Sequence, residues 1–367
     1  MGAEDTDPWS GTTKDVREAI AESGTETTVA TIADVEGSAY RRPGAKMVVT
    51  AEGVGMGAVT AGCLEPSVVD SCETVRRTGR ARVERFDLTG GEDQWGLGLG
   101  CEGVIDILVE PRDGSWEAIV DKVDRAPIAV VTVIEADEET MVGDRVIAGE
   151  TGIRTVPDRN PVPSSHLDSV GDTIERIRGT ARTTTVRRGD ATLLVDGMVP
   201  TPRLVLFGSQ NDINPVVRLG RQAGFHVAVH APRGGVDEST FPRASDVRTG
   251  HPSTLADGVD EYTYAVVMSH NLVDDRIAIE TLLRETEVPY VGVMGPRERF
   301  DRIREDMALT GDELERVAAP VGLDLGGSTP TDIALSIVSE VVAVRNGRDG
   351  GRLRARSGPI HPTDTDR

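Results

Sequence analysis

Aromatic residues are scarce in this 367-residue chain, which has five phenylalanines, four tyrosines and three tryptophans. Its core must therefore be built from Val, Ile, Leu and Ala rather than from stacked rings. Lysine occurs only at Lys14, Lys46 and Lys122, so nearly every cation is an arginine. Three cysteines, Cys63, Cys72 and Cys101, are too few and of the wrong parity for a disulfide framework. No apolar run approaches membrane-spanning length, and no signal-like stretch precedes the first expected helix, so the expectation is a soluble cytoplasmic protein with no membrane partner. Positive charge is short as well: 61 acids face 40 Lys plus Arg, for a formal net charge of −21. Phosphate-rich duplexes would be repelled, which argues against a nucleic-acid partner. The acidic excess resembles halophilic surface chemistry and predicts a fold that depends on salt.

Against that acidic background the stretch from Gly37 to Glu65, GSAYRRPGAKMVVTAEGVGMGAVTAGCLE, stands out. Arg41 and Arg42 form a locally basic turn, and Pro43-Gly44 suits a type II turn because proline fixes φ and glycine accepts a positive one. Gly53, Gly55 and Gly57 alternate, a spacing that leaves one face of a strand without side chains. Gly96, Gly98 and Gly100 repeat the pattern and run into Cys101. Two such faces would admit a flat ligand; equally, each would admit a closely packed helix or strand. Cys63 lies just before an expected helix, where unpaired N–H groups favour a thiolate, although a small buried thiol in a turn fits the same position. Cys72 shares an apolar stripe with Val68, Val69 and Val75 and reads as core.

Periodicity predicts a helix over 13–23, strands over 27–35 and 82–88, and a helix from Glu65 to Thr78 stopped by Gly79. A buried strand over 104–109, a helix over 115–123 and a strand over 128–134 follow. The reading weakens between Glu135 and Gly189, apart from hairpin signals near Val142-Gly143-Asp144. Residues 195–199 read as a hairpin. Pro200 and Pro202 mark a boundary, which divides the chain into an α+β domain over 1–200, a Rossmann-like doubly wound domain over 201–345 and a disordered tail over 346–367. In the second domain strands and helices alternate from Leu204 onward, the pattern of a parallel sheet. Gly208-Ser209 follows its first strand and His270 a later one. Gly295 and Arg297 begin another helix. The helix starts at Gly208 and Gly295 are candidate anion sites, and Thr329-Pro330-Thr331-Asp332 opens a final helix.

GSAYRRPGAKM, AGCLE and GLGLGCEGVIDILVEP in the first part, with VVMSHNLVDD, YVGVMGPRERFDRI and PVGLDLGGSTPTDIALSIVSEVV in the second, resemble the XdhC/CoxI family of xanthine dehydrogenase accessory proteins. The resemblance implies a cofactor-binding maturation factor more than a turnover enzyme. Such a factor would bind molybdenum cofactor (molybdopterin), protect it during sulfuration, and help insert it into an apo molybdenum hydroxylase. A cysteine desulfurase and a second copy of the chain are further expected partners. On that reading Arg41 and Arg42 pair with the cofactor phosphate, Gly62 and Gly100 admit its flat ring, and Cys63 or Cys101 approaches the metal.

The chain departs from the family pattern at Ala61 and Glu102, where glycines are usual. Gln210 replaces the glycine that lets a backbone approach a pyrophosphate, and Ala231-Pro232-Arg233 lacks the acid that holds a ribose hydroxyl. An NAD(P)-dependent oxidoreductase, with His270 at a strand's carboxyl end, is the alternative reading, and those two departures weaken it. A protein-interaction scaffold that kept the fold without the cofactor is a third.

Overall fold

The computed structural model describes residue 9, residues 11–89, 103–136, 142–189 and 191–357, and residue 360. The chain divides into two compact units, Met1–Pro200 and Thr201–Arg367.

In the first unit, α1 (Thr13–Glu22) opens on a capping box formed by Thr12 and Asp15. Next come β1 (Thr28–Gly37), β2 (Lys46–Thr50), β3 (Gly53–Gly57), α2 (Glu65–Thr78), β4 (Arg82–Asp87) and β5 (Gly103–Pro111). The five strands make an antiparallel sheet in the order β3-β2-β1-β5-β4. α3 (Gly114–Val123) leads to β6 (Ile128–Glu135), β7 (Arg145–Gly149) and β8 (Gly152–Thr155). Two short helices, α4 (Ser164–Asp168) and α5 (Gly171–Ile177), precede β9 (Thr183–Arg188) and β10 (Ala191–Met198). These strands form a second antiparallel sheet, β8-β7-β6-β10-β9.

Alternation of side chains decides what each face covers. Ala30, Ile32, Met47, Ile107 and Val109 lie beneath Val68, Cys72 and Val75 of α2. Val29 and Val48 face the other way and meet Val130, Ile147 and Met198 of the second sheet. Ala129, Val131, Leu193 and Val195 turn outward beneath Ile174 and Ile177 of α5. The unit is thus helix, sheet, sheet, helix, and the seam between its sheets includes charged residues. Arg112 ties α1 to this frame: its Nε donates to Ile20 O at 3.0 Å and its Nη2 to Ala21 O at 3.2 Å.

Two glycine patterns do something other than the sequence suggests. Residues 195–198 are not a hairpin but the end of the continuous strand β10, with Gly197 paired to Ala129. A Cβ at Gly197 would lie 2.5 Å from Thr180 O and 2.6 Å from Ile177 O, so the glycine admits the turn after α5. In β3, a Cβ on Gly57 would lie 2.8 Å from Val16 Cγ2, which means α1 takes up one end of the glycine face. The second alternation, Gly96 to Gly100, lies outside the described residues.

The second unit contains β11 (Arg203–Phe207), α6 (Ile213–Gln222), β12 (His226–Ala231), β13 (Asp246–Thr249), β14 (Thr263–Val267) and α7 (Leu272–Glu285). It continues with β15 (Tyr290–Val293), α8 (Arg297–Glu305), α9 (Gly311–Glu315), β16 (Val317–Ala318) and α10 (Pro330–Arg345). All six strands are parallel, in the order β13-β12-β11-β14-β15-β16. That is the doubly wound order of a Rossmann sheet, with α6 and α10 over one face and α7 and α8 over the other. Beyond α10, where the sequence suggests no structure, Gly350 rests on Leu323 and residues Leu353–Ala355 form a 3₁₀ turn.

Candidate functional site

In the first unit the β1–β2 connection carries the basic turn. Ala45 N donates to Arg42 O at 3.1 Å, and Gly44 has φ 90°, so Pro43-Gly44 forms the expected type II turn. A Cβ on Gly44 would collide with Thr183 Oγ1, so the turn is seated against β9. The Arg41 and Arg42 side chains are half-buried and make no ion pair or hydrogen bond with the described residues. Lys46, the third cation of this stretch, is committed elsewhere, to Asp196 of β10 at 2.6 Å.

Gly62 and Cys63 sit in the turn that enters α2. Glu65, the first residue of that helix, folds its buried carboxylate back over the turn. Its Oε1 accepts from Thr60 N at 2.8 Å, and its Oε2 accepts from the Thr60 hydroxyl and from Leu64 N. Gly62 has φ 109° in this turn, and the Trp9 indole lies 3.6 Å from where its Cβ would be. The Cys63 thiol is half-buried, and with Ala39 and Ala45 it borders the apolar cluster under α2. Cys72 is core: burial pushes its thiol pKa up, partly offset by the Thr28 hydroxyl and Arg76. Gly100 and Cys101 lie outside the described residues. β5 re-enters at Gly103 opposite Gly37, at the foot of the loop that bears Arg41. Among the described residues no group of three His, Cys, Asp or Glu is placed to hold a metal, so Cys63 belongs to no such group there.

In the second unit Gly208, Ser209, His270, Gly295 and Arg297 all gather at the carboxyl edge of β11, β14 and β15. The geometry there does not present an open anion cradle. Gly208 N donates to His230 O at 3.0 Å, and a Cβ on this residue would lie 2.7 Å from Met268 O, so close strand packing explains the glycine. At the start of α6, Ile213 N and Asn214 N donate to Gln210 O and Asn211 O, both at 3.2 Å. The carboxylate of Asp212 stands at the same place and pairs with His270 Nε2 at 2.9 Å. His270 holds φ 61°, and its ring is half exposed. Ser209 makes no side-chain hydrogen bond with the described residues. Gly295, at φ 118°, lies against Arg299, whose guanidinium pairs with the buried Asp275. Arg297 is exposed.

Sequence reasoning assigns no role to Glu65 or Asp212. An acid in the first turn of a helix, five residues after a threonine, is a visible signal for the first. For the second, an acid closing Gly208-Ser209-Gln210-Asn211 is an equally local cue, but its histidine partner is 58 residues away.

Comparison with known proteins agrees with this architecture. Residues 20–87 match the profile of the XdhC and CoxI family, and residues 204–341 match that of the XdhC Rossmann domain. A probable xanthine dehydrogenase subunit from Bacillus subtilis (strain 168) is 27% identical over 340 residues, covering 89% of this chain and 96% of that protein. The uncharacterized protein YqeB of Escherichia coli (strain K12) is 26% identical over 171 residues, covering 44% of this chain and 30% of that protein. The crystal structure of a xanthine dehydrogenase from Bacillus halodurans superposes with a TM-score of 0.74 at 23% identity, over 93% of this chain and 98% of the other, a likeness of fold. With part of each unit matched by a family profile, the chain belongs to the XdhC and CoxI family.

Proposed function

We propose that the protein is an accessory factor for a xanthine dehydrogenase-type molybdenum hydroxylase, holding molybdenum cofactor while its sulfur is installed by a cysteine desulfurase and before it is inserted. Membership in the family and the name of the Bacillus subtilis relative support the accessory role. The observation that carries cofactor binding is the Arg41–Arg42 turn: two half-buried guanidinium groups without a partner among the described residues, in a chain of net charge −21. Guanidinium forks match a phosphate bidentately, and Cys63 offers a soft donor at the rim of the apolar cluster that Ala39 and Ala45, on either side of the arginines, also border. When bound, the cofactor supplies the molybdenum dithiolene centre of the hydroxylase. The chain's own residues hold its phosphate and keep solvent from its ring.

Two features of the carboxyl edge of the second unit weigh against a dinucleotide there. The Asp212 carboxylate stands at the start of α6, where it would oppose a pyrophosphate, and the Gly208 N–H is already engaged.

The test is to express the protein in a cofactor-making host, purify it in high salt, and measure released pterin fluorescence and molybdenum. Wild type should carry both; Arg41→Ala/Arg42→Ala should lose at least 90% of each while keeping its fold. Wild type without pterin, or a double variant that binds as well, overturns cofactor binding in the first unit.

A further inference from the structure

Between the two sheets of the first unit lies a cavity of about 10 Å³ whose wall includes Thr31 of β1, Trp116 of α3, Arg145 of β7, and the carboxylates of Glu110 and Asp196. Three of these residues bring a polar atom that has no hydrogen-bond partner among the described residues: Thr31 Oγ1, Trp116 Nε1 and Arg145 Nε. Their side chains are all but sealed from solvent, at 3%, 3% and 1% exposure. Buried polar groups in folded proteins are almost always paired. Three orphans around one cavity point to a common partner.

We infer that this cavity binds a single water molecule, held by Thr31, Trp116 and Arg145. The volume is that of one water-sized sphere, and a buried water makes about three hydrogen bonds. The hydrogen-bond chemistry balances. The indole N–H and the guanidinium Nε–H donate to the two lone pairs of the water. Water in turn donates to Thr31 Oγ1, and its second hydrogen faces the carboxylates in the wall.

A halide fits less well, because the charges around the cavity are already matched. Arg145 pairs with Glu110, and Lys46 with Asp196. An added anion would be a buried charge with no counter-ion. A cation is excluded by the convergent N–H donors.

The water links the sheets. Thr31 belongs to the first, Arg145 to the second, and Trp116 to the helix between them in sequence. Arg145 also stands over the Trp116 ring, 5.2 Å from its centroid, so one bound molecule fixes both groups.

Oxygen-17 relaxation dispersion counts long-lived internal waters in solution and reads this directly. Thr31→Val keeps the shape of the side chain and removes its hydroxyl; Trp116→Phe keeps a ring and removes the donor. Each variant should lose one long-lived water relative to wild type, or exchange it at least about tenfold faster, the effect of one hydrogen bond. Dispersion curves identical to wild type in Thr31→Val overturn the site, whether or not Trp116→Phe folds. A crystal structure of the wild-type protein grown in bromide gives a second readout. One water peak without anomalous signal in the cavity agrees with the proposal; an empty cavity or a bromide peak refutes it.

Discussion

Lys46 Nζ lies 2.6 Å from Asp196 Oδ2, with each side chain only 10% exposed. The pair joins β2 of one sheet to β10 of the other. Lys46 also donates to Gly44 O at 3.1 Å, and Thr183 Oγ1 donates to Asp196 Oδ1 at 2.6 Å, so the arginine turn, the lysine and the second sheet are held by one network. Lys46→Met leaves a buried carboxylate without its counter-charge and should destabilise the first unit by about 3 kcal/mol. Adding Asp196→Asn, which keeps an acceptor for Thr183, should recover at least half of that loss. Urea melts of the four proteins in this cycle decide it. Additive losses would mean that the two groups do not act as a pair.

Surface charge predicts a different dependence. With 61 acids against 40 Lys plus Arg, repulsion between exposed carboxylates opposes compaction in dilute buffer, and salt screens it. The melting temperature should rise steadily from dilute buffer to molar KCl. Each kcal/mol of relieved repulsion corresponds to about 2–4 °C for units of this size. The Lys46–Asp196 coupling, being buried, should stay constant over the same range. A flat salt profile would remove the halophilic reading.

Glu65 holds the Cys63 turn by accepting hydrogen bonds from Thr60 and Leu64. In a Cys101→Ser background, Glu65→Ala should speed alkylation of Cys63 under native conditions by at least tenfold, since a buried charged acceptor worth about 1.5–3 kcal/mol is lost. Glu65→Gln should fall between the two. Cys72, fully buried on the inner face of α2, should label only on unfolding. Unchanged labelling in Glu65→Ala would show that the turn does not need the carboxylate.

In the second unit, His230 packs 5.9 Å from the Phe207 ring and its Nε2 lies 3.2 Å from Gly250 O. Burial is the largest influence on its pKa and lowers it from the ordinary 6.5, with the Gly250 hydrogen bond opposing. Between the lowered folded pKa and 6.5, the unfolded chain binds the proton more readily than the folded one. Stability contributed by neutral His230 is therefore fully present above 6.5 and is lost as pH falls below it. His230→Gln should flatten the stability profile of this unit over that window, as read by thermal melts at a series of pH values. A profile with the wild-type slope would place the proton uptake elsewhere.

Much of this structure can be read from local pattern. The 3.6-residue spacing of Val68, Cys72 and Val75 places α2, and the Thr329 capping box places α10. Two edge strands escape such reading: β13 is Asp-Val-Arg-Thr and β16 only Val-Ala, too short and too polar to show a period. Glycine is ambiguous because the same absence of a side chain serves a ligand, a turn or a neighbour. Gly57 beneath Val16 and Gly197 beneath Thr180 show the third use. The site is legible in part. Arg41 and Arg42 stand out against an acidic chain, but that Lys46 beside them is spent on Asp196, 150 residues on, depends on strand order, which no window of sequence contains.

Distance in sequence also hides what in the second unit weighs against a dinucleotide. Gln210 in place of glycine is visible in the sequence, and on that ground alone Gln210→Gly would restore binding. The structure predicts that it will not. The Gly208 N–H remains bonded to His230 O, and Asp212 remains at the head of α6, within hydrogen-bond distance of His270 Nε2. A pyrophosphate arriving there would meet a carboxylate. NAD at about 1 mM should leave the melting temperature of both wild type and Gln210→Gly unchanged, whereas a ligand present at about a hundred times its Kd would add about 2.7 kcal/mol of stability. Gln210→Gly/Asp212→Ala removes the opposing charge and is the variant in which a shift is expected. A shift in wild type would show that the turn opens to admit the nucleotide, and the Asp212–His270 pair would then be a gate rather than a block.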